Sequence, residues 1–457
     1  MADIVQSKPN DWAYVSEGGA TIVFSYRGPP HPAFSGTVLR LRKSAVVPTG
    51  SGNTTDPGRT RDENEPDDPT IEYQTKCMQK LIPLEHLPQL QTVRLDRSWL
   101  EALVQLQNLI RPEGRREKDE VDLNRTKGVL ATDLVGGNWL AVEIKPKWAF
   151  LPSPIHLSKE TKLIKTQTCR FCMHSHLKAQ KGQEIPTDYC PLDLFSGDEN
   201  RVTKAIHGLW DAWVASNATA NNLKIFARGK FVSPSEAHLM FKDGLTGGEN
   251  LLVIRDAFAI SLVRPLLHTP VLRILSKLQR ELDVLDIEGL SKLWRLTEAS
   301  SPLYQTTFAS FVKKPSDGSQ SAPSCTSIGM SSPFLQAPEP AISDWVDFLE
   351  TYMSPDKRKL DHANPLPENL HHYLMSYLLS ATFKDCSVIV NLDFLEASHP
   401  REDAIKPESV TIIDLDPKSM KKLSTWEKLD QEIAHAYATA QRRVCIDQWQ
   451  VPRAKSS

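Results

Sequence analysis

The chain lacks any uninterrupted run of about eighteen apolar residues, the length that a membrane-spanning helix needs. Its first residues, Met1–Trp12, are polar, so we expect no signal peptide. It also lacks an excess of either charge: the formal net charge is -2 and the pI is near 6.7, which excludes a globally basic, histone-like nucleic-acid binder. We therefore expect neither a membrane nor a nucleic acid as a partner, and any anion-binding site must be local.

Cysteine is scarce. Seven cysteines in 457 residues, an odd number thinly spread, fit a reducing compartment better than a disulfide framework. We expect an intracellular protein of two or three domains or lobes. Aliphatic residues are also rare in Pro48–Pro69, which is acidic, and in Lys314–Glu339, which is rich in Ser and Pro, so both are predicted to be disordered insertions.

Familiar nucleotide motifs are missing too. The absence of a GxxxxGK[ST] pattern argues against a P-loop enzyme, and the absence of HRD and DFG triplets argues against a protein kinase proper.

Hydrophobic periodicity predicts a β-rich front and a larger, mainly helical rear, which is the layout of kinase-like nucleotide enzymes. Strands are predicted at Ala20–Tyr26, Gly36–Lys43, Gly128–Leu134, Trp139–Lys145, Ser387–Leu392 and Ser409–Leu415. Helices are predicted at Leu95–Ile110, Arg201–Ser216, Leu251–Leu282 with breaks near Pro265 and Pro270, Ile287–Leu296, Ser343–Met353, Asn369–Ala381 and Trp426–Arg443.

The segment Glu143-Ile-Lys145-Pro-Lys147 places two lysines where a buried strand ends. Residues two apart in an extended chain face the same way, so Lys145 and Lys147 are predicted to point into one space. Two adjacent ammonium groups repel each other unless an anion, typically phosphate, lies between them. For an isolated Lys-x-Lys a solvated strand end is the commoner explanation, and only the rest of the chain favours an anion site.

Carboxylates flank two later strands. Asp414 and Asp416 follow one, and Asp385 precedes the other. Phosphoryl transfer uses carboxylate oxygens to hold Mg²⁺ on nucleotide phosphates and a further carboxylate to accept the proton of the attacking hydroxyl. An isolated Asp-x-Asp is commonly a turn or a helix cap, but its combination with the lysines favours phosphoryl transfer.

Gly18 and Gly19 precede a strand whose neighbour carries Arg40. Glycines at such a turn let backbone N–H groups approach phosphate, although an ordinary turn is the alternative.

A Cys/His cluster has two readings. Cys169-x-x-Cys172 with His174, His176 and Cys190 has the ligand types and the first spacing of a structural zinc site. A structural Zn²⁺ is therefore possible, while cysteines that pack inside the protein are the alternative. The other cysteines, Cys77, Cys325, Cys386 and Cys445, are interpreted as packing or surface thiols.

Taken together, the chain resembles the inositol-pentakisphosphate 2-kinase family, and its insertions resemble those of fungal members. The matching segments, in order, are Glu17–Ala20, Val38–Lys43, Glu143–Pro152, Cys169–Lys178, Tyr189–Gly197, Asn221–Phe226, Lys384–Ser387 and Ile413–Lys418. The resemblance implies an α+β fold of the two-lobed inositol polyphosphate kinase type. Its β-rich N-terminal lobe would span residues 1–138, and its larger, mainly helical C-terminal lobe with short strands would span residues 139–457.

The resemblance also implies an activity: transfer of the ATP γ-phosphate to the 2-hydroxyl of inositol 1,3,4,5,6-pentakisphosphate, which gives inositol hexakisphosphate. ATP and Mg²⁺ would be the cofactors, inositol pentakisphosphate and ATP the partners, and a monomer in the nucleus, the cytoplasm or both is expected. A non-catalytic scaffold that binds inositol phosphates or other polyanions is the alternative, for which the lysines would suffice without the aspartates.

Individual roles follow from the same resemblance. Asp385 and Lys145 would be the catalytic residues, with Asp385 as the base, and Asp414 would be the principal Mg²⁺ ligand. The nucleotide would be bound by Gly18, Gly19, Arg40, Asp133, Glu143 and Asp414. The inositol phosphates would be bound by Arg115, Lys145, Lys147, His174, Lys178, Asn222, Lys418 and Lys422.

Overall fold

The computed structural model of the protein describes most of the chain. The described residues are 1–46, 65–137, 139–183, 187–237, 251–300, 338–355, 360–393, 409–441 and 443–448. Most of the two predicted insertions, 48–64 and 314–337, lies outside the described residues.

The end of the first insertion is ordered. Asp68 caps a helix and forms an ion pair with Arg42 at 2.6 Å, and Glu65 pairs with Arg125 at the same distance. The prediction of disorder is therefore wrong for residues 65–69, because their carboxylates find fixed cationic partners.

The first sheet has seven strands, and β-branched and aromatic residues dominate its centre. Its strands are β1 Ala2–Asp3, β2 Trp12–Glu17, β3 Thr21–Tyr26, β4 Thr37–Ala45, β5 Leu90–Arg94, β6 Asp119–Val121 and β7 Lys127–Thr132. The spatial order is β1-β5-β7-β4-β3-β2, with β6 paired to β4, and β1 runs parallel to β5 while the other pairs are antiparallel. In β4 the alternation buries Leu39 and Leu41 and leaves Arg40 partly exposed.

The second sheet is assembled from strands far apart in sequence. Its strands are β8 Trp139–Ile144, β9 Leu223–Ala227, β10 Lys230–Phe231, β11 Ser387–Asp393 and β12 Val410–Ile413. The order is β10-β9-β8-β11-β12 and all neighbours are antiparallel. The long central strands β8 and β11 were predicted from their apolar residues, whereas β9 was not.

The α-helices of the described residues are α1 Pro69–Lys76, α2 Arg97–Gln107, α3 Glu113–Arg116, α4 Lys159–Lys165, α5 Arg170–Gln180, α6 Pro191–Leu194, α7 Glu199–Ala215, α8 Leu251–His268, α9 Val271–Leu282, α10 Asp286–Ser300, α11 Ile342–Met353, α12 Leu370–Lys384 and α13 Lys422–Tyr437. Every predicted helix is present, although the last runs Lys422–Tyr437 instead of Trp426–Arg443, while α1, α3, α4, α5 and α6 were not predicted. Pro265 lies inside α8 instead of breaking it. The break falls at Thr269 and Pro270, so one predicted break is wrong and the other is correct.

The chain forms two compact units, each built from three stretches of sequence. The first unit, Met1–Lys145, Leu209–Val271 and Cys386–Leu415, contains both sheets. The second unit, Pro146–Gly208, Leu272–Asp385 and Asp416–Ser457, consists in its described part of helices and connecting segments. The lobe boundary expected after residue 138 stays a prediction. Among the described residues, no single helix is long and apolar enough to cross a membrane.

Each unit has an apolar core. In the first unit, Trp12 is fully buried and meets Tyr26, Phe34 and Trp99 edge to face, with ring centroids 5.1, 5.6 and 6.4 Å away. In the second unit, α5 packs on α13 through Met173, Leu177, Ile433 and Tyr437. These contacts fix the helix that carries His174 and Lys178.

A buried group of four charges ties the end of β2 to its surroundings. Glu17 forms ion pairs with Lys43 and with Arg111, the latter at 2.9 Å, and Asp119 contacts the same two cations at 2.9 and 2.8 Å. The Glu17 side chain is only 2% exposed, so water screens these charges little. Burial alone would raise the pKa of Glu17, but the hydrogen bonds and charges of Arg111 and Lys43 outweigh it and hold the pKa below its ordinary value.

Substitution of Glu17 by Gln should destabilise the protein. We expect the free energy of unfolding to fall by about 3–5 kcal/mol, because two buried cations then share one carboxylate. Since the folded pKa of Glu17 is depressed, its contribution exists above the ordinary glutamate pKa of about 4.3 and is lost as the pH falls through the folded value. The difference between wild type and variant in chemical denaturation should therefore shrink in acid.

Glu101→Gln is the matched control for this substitution, because its pair with Arg97 lies on the helix surface with both side chains about half exposed. We expect it to cost less than about 1 kcal/mol. Equal effects of the two substitutions would contradict the proposed importance of the buried group.

Candidate active site

Charged residues collect at one edge of the second sheet because of its antiparallel register. Ile144 at the end of β8 pairs with Val388 near the start of β11 and with Leu223 at the start of β9, and Ser387 pairs with Ile413 at the end of β12. The residues that leave these strands therefore emerge together. Lys145, Asn222 and Asp414 all belong to this edge.

Two carboxylates at this edge share one hydroxyl group. Ser387 Oγ lies 2.9 Å from Glu143 Oε1 and 3.1 Å from Asp414 Oδ2. A hydroxyl group has one proton, so it can donate to only one of these oxygens at a time. The other carboxylate oxygen then faces a lone pair, and a cation near both carboxylates would relieve that repulsion.

Two lysines partly neutralise the carboxylates. Lys145 Nζ lies 3.7 Å from Asp414 Oδ2, and Lys224 Nζ lies 3.1 Å from the second oxygen of Glu143. Glu143 is buried, whereas the Asp414 side chain is 49% exposed and can reach a ligand. Asp414 also has a φ of 62°, a left-handed conformation that is uncommon outside glycine and often occurs at functional sites.

Asn222 holds the backbone of Lys145 in place. Its side-chain amide donates to the Lys145 carbonyl at 3.2 Å, and the Lys145 N–H donates to the Asn222 carbonyl at 3.0 Å. In this structure the Asn222 amide therefore hydrogen-bonds the backbone. Its predicted role in phosphate binding stays a prediction.

A second charged group lies in the second unit around Asp385. Asp385 is the C-cap of α12, and its carboxylate is 58% exposed. Lys418 Nζ lies 2.9 Å from Oδ2, and Lys147 Nζ lies 3.7 Å from Oδ1. The structure thus brings together the predicted base and two of the predicted phosphate ligands.

The buried side chain of Gln279 sets this geometry. Its amide NH₂ donates to the carbonyls of Lys147 at 3.0 Å and of Phe383 at 2.9 Å, and its oxygen accepts from the Ala149 N–H at 2.9 Å. Gln279 is fully buried, so all three bonds are protected from water. It joins the segment that carries Lys147 to the helix end that carries Asp385. The sequence analysis missed it, and the available signal was a glutamine on the apolar face of α9.

Lys384, next to Asp385, is also buried and was not assigned a role. It pairs with Asp283 at 2.5 Å, and its ammonium lies 4.0 Å from the ring centroid of Trp148 and 4.7 Å from that of Tyr377. Burial lowers the pKa of Lys384, which the charge of Asp283 opposes. This pair anchors the end of α12 and leaves Asp385 as the exposed member of the Lys-Asp dipeptide.

His174 and Lys178 lie one turn apart on α5. Burial, followed by the charges of Lys178, Arg170 and Lys147, lowers the pKa of His174 to about 4. Its imidazole is therefore neutral near pH 7 and can donate one N–H bond. The influence of Lys147 on His174 indicates that both belong to the same positively charged region of the second unit.

The extended backbone that was assumed for Lys145 and Lys147 is wrong at Lys147, because β8 ends at Ile144 and Lys147 has a left-handed φ of 66°. Lys145 Nζ lies near the Asp414 carboxylate, and Lys147 Nζ lies near the Asp385 carboxylate.

The remaining predicted residues lie on other elements. Gly18 and Gly19 are exposed at the turn between β2 and β3, and Arg115 is exposed on α3. Lys422 is exposed at the start of α13. Asp133 is buried and accepts hydrogen bonds from the Ser25 hydroxyl and from the N–H groups of Val135 and Gly136, so its carboxylate stabilises the turn after β7. Their assignments to nucleotide or phosphate binding stay predictions.

The structure places four cysteines in one cluster, and one of them, Cys445, was not predicted to belong to it. Cys445, interpreted above as a packing or surface thiol, lies with Cys169, Cys172 and Cys190 in one buried cluster. The histidines do not belong to this cluster: His176 packs on Tyr437 with a centroid distance of 5.3 Å.

Comparison with known proteins identifies the family. The profile of the inositol-pentakisphosphate 2-kinase family matches residues 14–432. An inositol-pentakisphosphate 2-kinase of the fungus Cryptococcus neoformans is 30% identical over 443 residues, which cover 93% of each chain. One from Arabidopsis thaliana is 28% identical over 490 residues, covering 97% of this chain and 96% of the relative.

These similarities extend over nearly the whole chain and include both charged groups. The chain therefore belongs to the inositol-pentakisphosphate 2-kinase family and is an enzyme, a kinase of the transferase class.

Proposed function

We propose that this protein transfers the γ-phosphate of ATP to the 2-hydroxyl of inositol 1,3,4,5,6-pentakisphosphate, giving inositol hexakisphosphate. The observation that carries the proposal is the exposed carboxylate of Asp385, held by Lys147 and Lys418 at the end of a buried helix. A base that lies beside two phosphate-binding lysines suits a substrate hydroxyl that is surrounded by phosphates. The relatives described above carry this activity in their names.

Substrate charge explains the need for many cations. Each phosphate carries about -1.5 to -2 charges near neutral pH, so a pentakisphosphate carries close to ten. The chain has a net charge of -2, so attraction must come from a local concentration of lysines. We assign Lys147, Lys178 and Lys418 to the inositol phosphates, with His174 as a neutral donor.

The ion pairs of Asp385 suggest how the base becomes available. Lys147 and Lys418 are about one-fifth exposed and Asp385 is more than half exposed, so exchanging these partners costs little. Substrate phosphates would compete for both ammonium groups. Asp385 would then accept a hydrogen bond from the 2-hydroxyl and take its proton as the oxygen attacks phosphorus.

The carboxylates of Glu143 and Asp414 fit a magnesium ion. Both are hard oxygen donors, and the single proton of Ser387 cannot satisfy both. We assign Asp414, the more exposed of the two, as the principal ligand, with Glu143 beside it. Mg²⁺ would supply charge neutralisation on the nucleotide phosphates. Lys145, 3.7 Å from Asp414, would contact the transferred phosphate.

Substitution of Asp385 by Asn tests the proposed base. We expect kcat to fall by about 10²- to 10⁴-fold, because the variant cannot accept the hydroxyl proton. The affinity for inositol pentakisphosphate should stay the same or increase, since the two lysines lose a competing carboxylate. Steady-state kinetics and calorimetry measure the two effects separately.

Asp347→Asn is the matched control for the base, because Asp347 is exposed on α11 and has no place in the proposed site. Wild-type turnover in Asp385→Asn, or loss of substrate binding, would contradict the assignment.

Substitution of Lys147 or Lys418 by Ala tests phosphate binding. Each should raise the KM for inositol pentakisphosphate by about ten- to a hundredfold, equivalent to about 1.5–3 kcal/mol for a lost charged hydrogen bond. The KM for ATP should change little. Lys277→Ala, an exposed lysine on α9, is the control and should leave both constants unchanged. A larger effect on ATP than on the inositol substrate would reverse the assignment.

Substitution of Asp414 by Asn tests the metal assignment. We expect the Mg²⁺ concentration for half-maximal activity to rise by roughly tenfold or more, a change that requires only about 1.4 kcal/mol. Glu120→Gln removes an exposed carboxylate of β6, which has no place in the proposed site, and should not change the requirement. An unchanged Mg²⁺ dependence in Asp414→Asn would show that another residue holds the ion.

A further inference from the structure

Two cations contact the indole ring of Trp148, a residue that the proposed mechanism does not use. Lys384 Nζ lies 4.0 Å from the centroid of the ring, and Arg170 Cζ lies 5.1 Å from it. A cation within about 6 Å of an aromatic face is attracted by the negative charge of the π electrons, and tryptophan gives the strongest attraction of this kind. The ring therefore attracts both side chains.

The two cations also repel each other. Burial lowers the pKa of Lys384, the charge of Asp283 opposes that effect, and the like charge of Arg170 lowers the pKa further. The indole ring offsets this repulsion without adding a formal negative charge.

The ring and its two cations belong to the three segments of the second unit that carry the proposed base and phosphate-binding residues. Lys384 is the last residue of α12 and directly precedes Asp385, the proposed base. Arg170 is the first residue of α5, the helix with two proposed phosphate-binding side chains, and Trp148 directly follows Lys147. One aromatic ring thus connects these three segments.

Buried carboxylates hold both cations in place. Arg170 Nη1 lies 3.0 Å from Asp430 Oδ1, and Lys384 Nζ lies 2.5 Å from Asp283 Oδ2. Both aspartates are at most 5% exposed. Because an unpaired buried carboxylate is costly, neither cation can leave its partner easily.

A buried lysine joins the two carboxylates. Lys165 Nζ lies 2.5 Å from Asp430 Oδ2 and 2.8 Å from Asp286 Oδ1, and only 2% of the Lys165 side chain is exposed. The Asp286 N–H donates to Asp283 Oδ1 at 3.0 Å. Buried contacts therefore run from the carboxylate that pairs with α5 to the carboxylate that pairs with the end of α12. The indole ring completes a closed series of contacts between these two helices.

The backbone on both sides of Trp148 is fixed independently of the indole ring. Gln279 donates to the Lys147 carbonyl and accepts from the Ala149 N–H. The ring of Phe150, which is 3% exposed, stacks on the indole with centroids 6.1 Å apart, whereas Trp148 is only partly buried. A substitution of Trp148 should therefore leave the backbone in place and mainly remove the contact with the two cations.

We propose that Trp148 is a positioning residue, whose ring holds α5 and the end of α12 at a fixed separation. It acts through Arg170 and Lys384 and need not touch the substrate. The inference rests on the proposed function, because it takes Asp385 as the base and α5 as a source of phosphate-binding side chains. A displacement of about 1 Å in such a site can lower the rate by about 10²-fold.

Trp148→Leu and Trp148→Phe, made in the full-length chain, test the proposal. Trp148→Leu removes the π electrons, and we expect kcat/KM for inositol pentakisphosphate to fall by about ten- to a hundredfold, with a higher KM for this substrate and an unchanged KM for ATP. Trp148→Phe keeps an aromatic face and should stay within about threefold of the wild type. A purely structural role would reduce the amount of folded enzyme and leave both KM values unchanged.

Arg170→Gln identifies the route of the effect. If the ring acts through Arg170, the double variant Trp148→Leu/Arg170→Gln should be hardly slower than the slower of the two single variants. Trp345→Leu is the matched control, because Trp345 is a buried tryptophan of α11 in the same unit. It should lower the melting temperature without changing either KM.

The outcomes separate the two proposals. A wild-type protein that forms no inositol hexakisphosphate would overturn the proposed function, and the positioning role with it. With an active wild type, unchanged kinetics in Trp148→Leu, an equal loss in Trp148→Phe, or effects of the two substitutions that multiply in the double variant would overturn the positioning role alone.

Folding of the variants is measured before their kinetics. If Trp148→Leu does not fold, Trp148→Met takes its place with the same expected loss, since methionine is flexible and fills irregular gaps. Loss of folding in both variants would assign Trp148 to stability and would also overturn the positioning role.

Discussion

Pairing of Lys145, Lys147 and Lys418 with carboxylates is the interaction on which the candidate site depends. Lysines placed side by side repel one another, and the chain cannot concentrate them without compensation. Asp385 compensates Lys147 and Lys418 in the second unit, and Asp414 compensates Lys145 in the first. The carboxylates of these pairs are about half exposed, and exposed ion pairs contribute little to stability, so the proposed substrate phosphates would replace them at little cost.

Rigid, buried interactions hold these exchangeable pairs in position. Gln279 fixes the backbone beside Lys147 and the helix end beside Asp385, and the buried pair of Lys384 with Asp283 anchors the same helix end. In the first unit, the antiparallel register of the second sheet holds Glu143, Ser387 and Asp414 in position. Charged side chains on a fixed frame are what phosphoryl transfer by electrostatic stabilisation requires.

The sequence predicted the parts of the site that local patterns encode. Strands β8 and β11 and helix α12 follow from their apolar residues, and the charges at their ends predicted both Asp385 and Asp414 as site residues. It did not predict Gln279 or the partner of Lys384, because these contacts join residues about one hundred positions apart. The extended backbone assumed for Lys145 and Lys147 was wrong at Lys147, where a left-handed φ replaces the strand. Cys445 escaped the zinc pattern for the same reason as Gln279, since it is distant in sequence from Cys169-x-x-Cys172.

The position of the transferred phosphate is the most direct test of this account. The wild-type protein, incubated with ATP, Mg²⁺ and inositol 1,3,4,5,6-pentakisphosphate, should give a product whose new phosphorus resonance is coupled to the inositol H2 proton in two-dimensional ³¹P–¹H NMR. Intact ATP with unchanged inositol pentakisphosphate, or a new phosphorus signal coupled to no H2 proton, would contradict it.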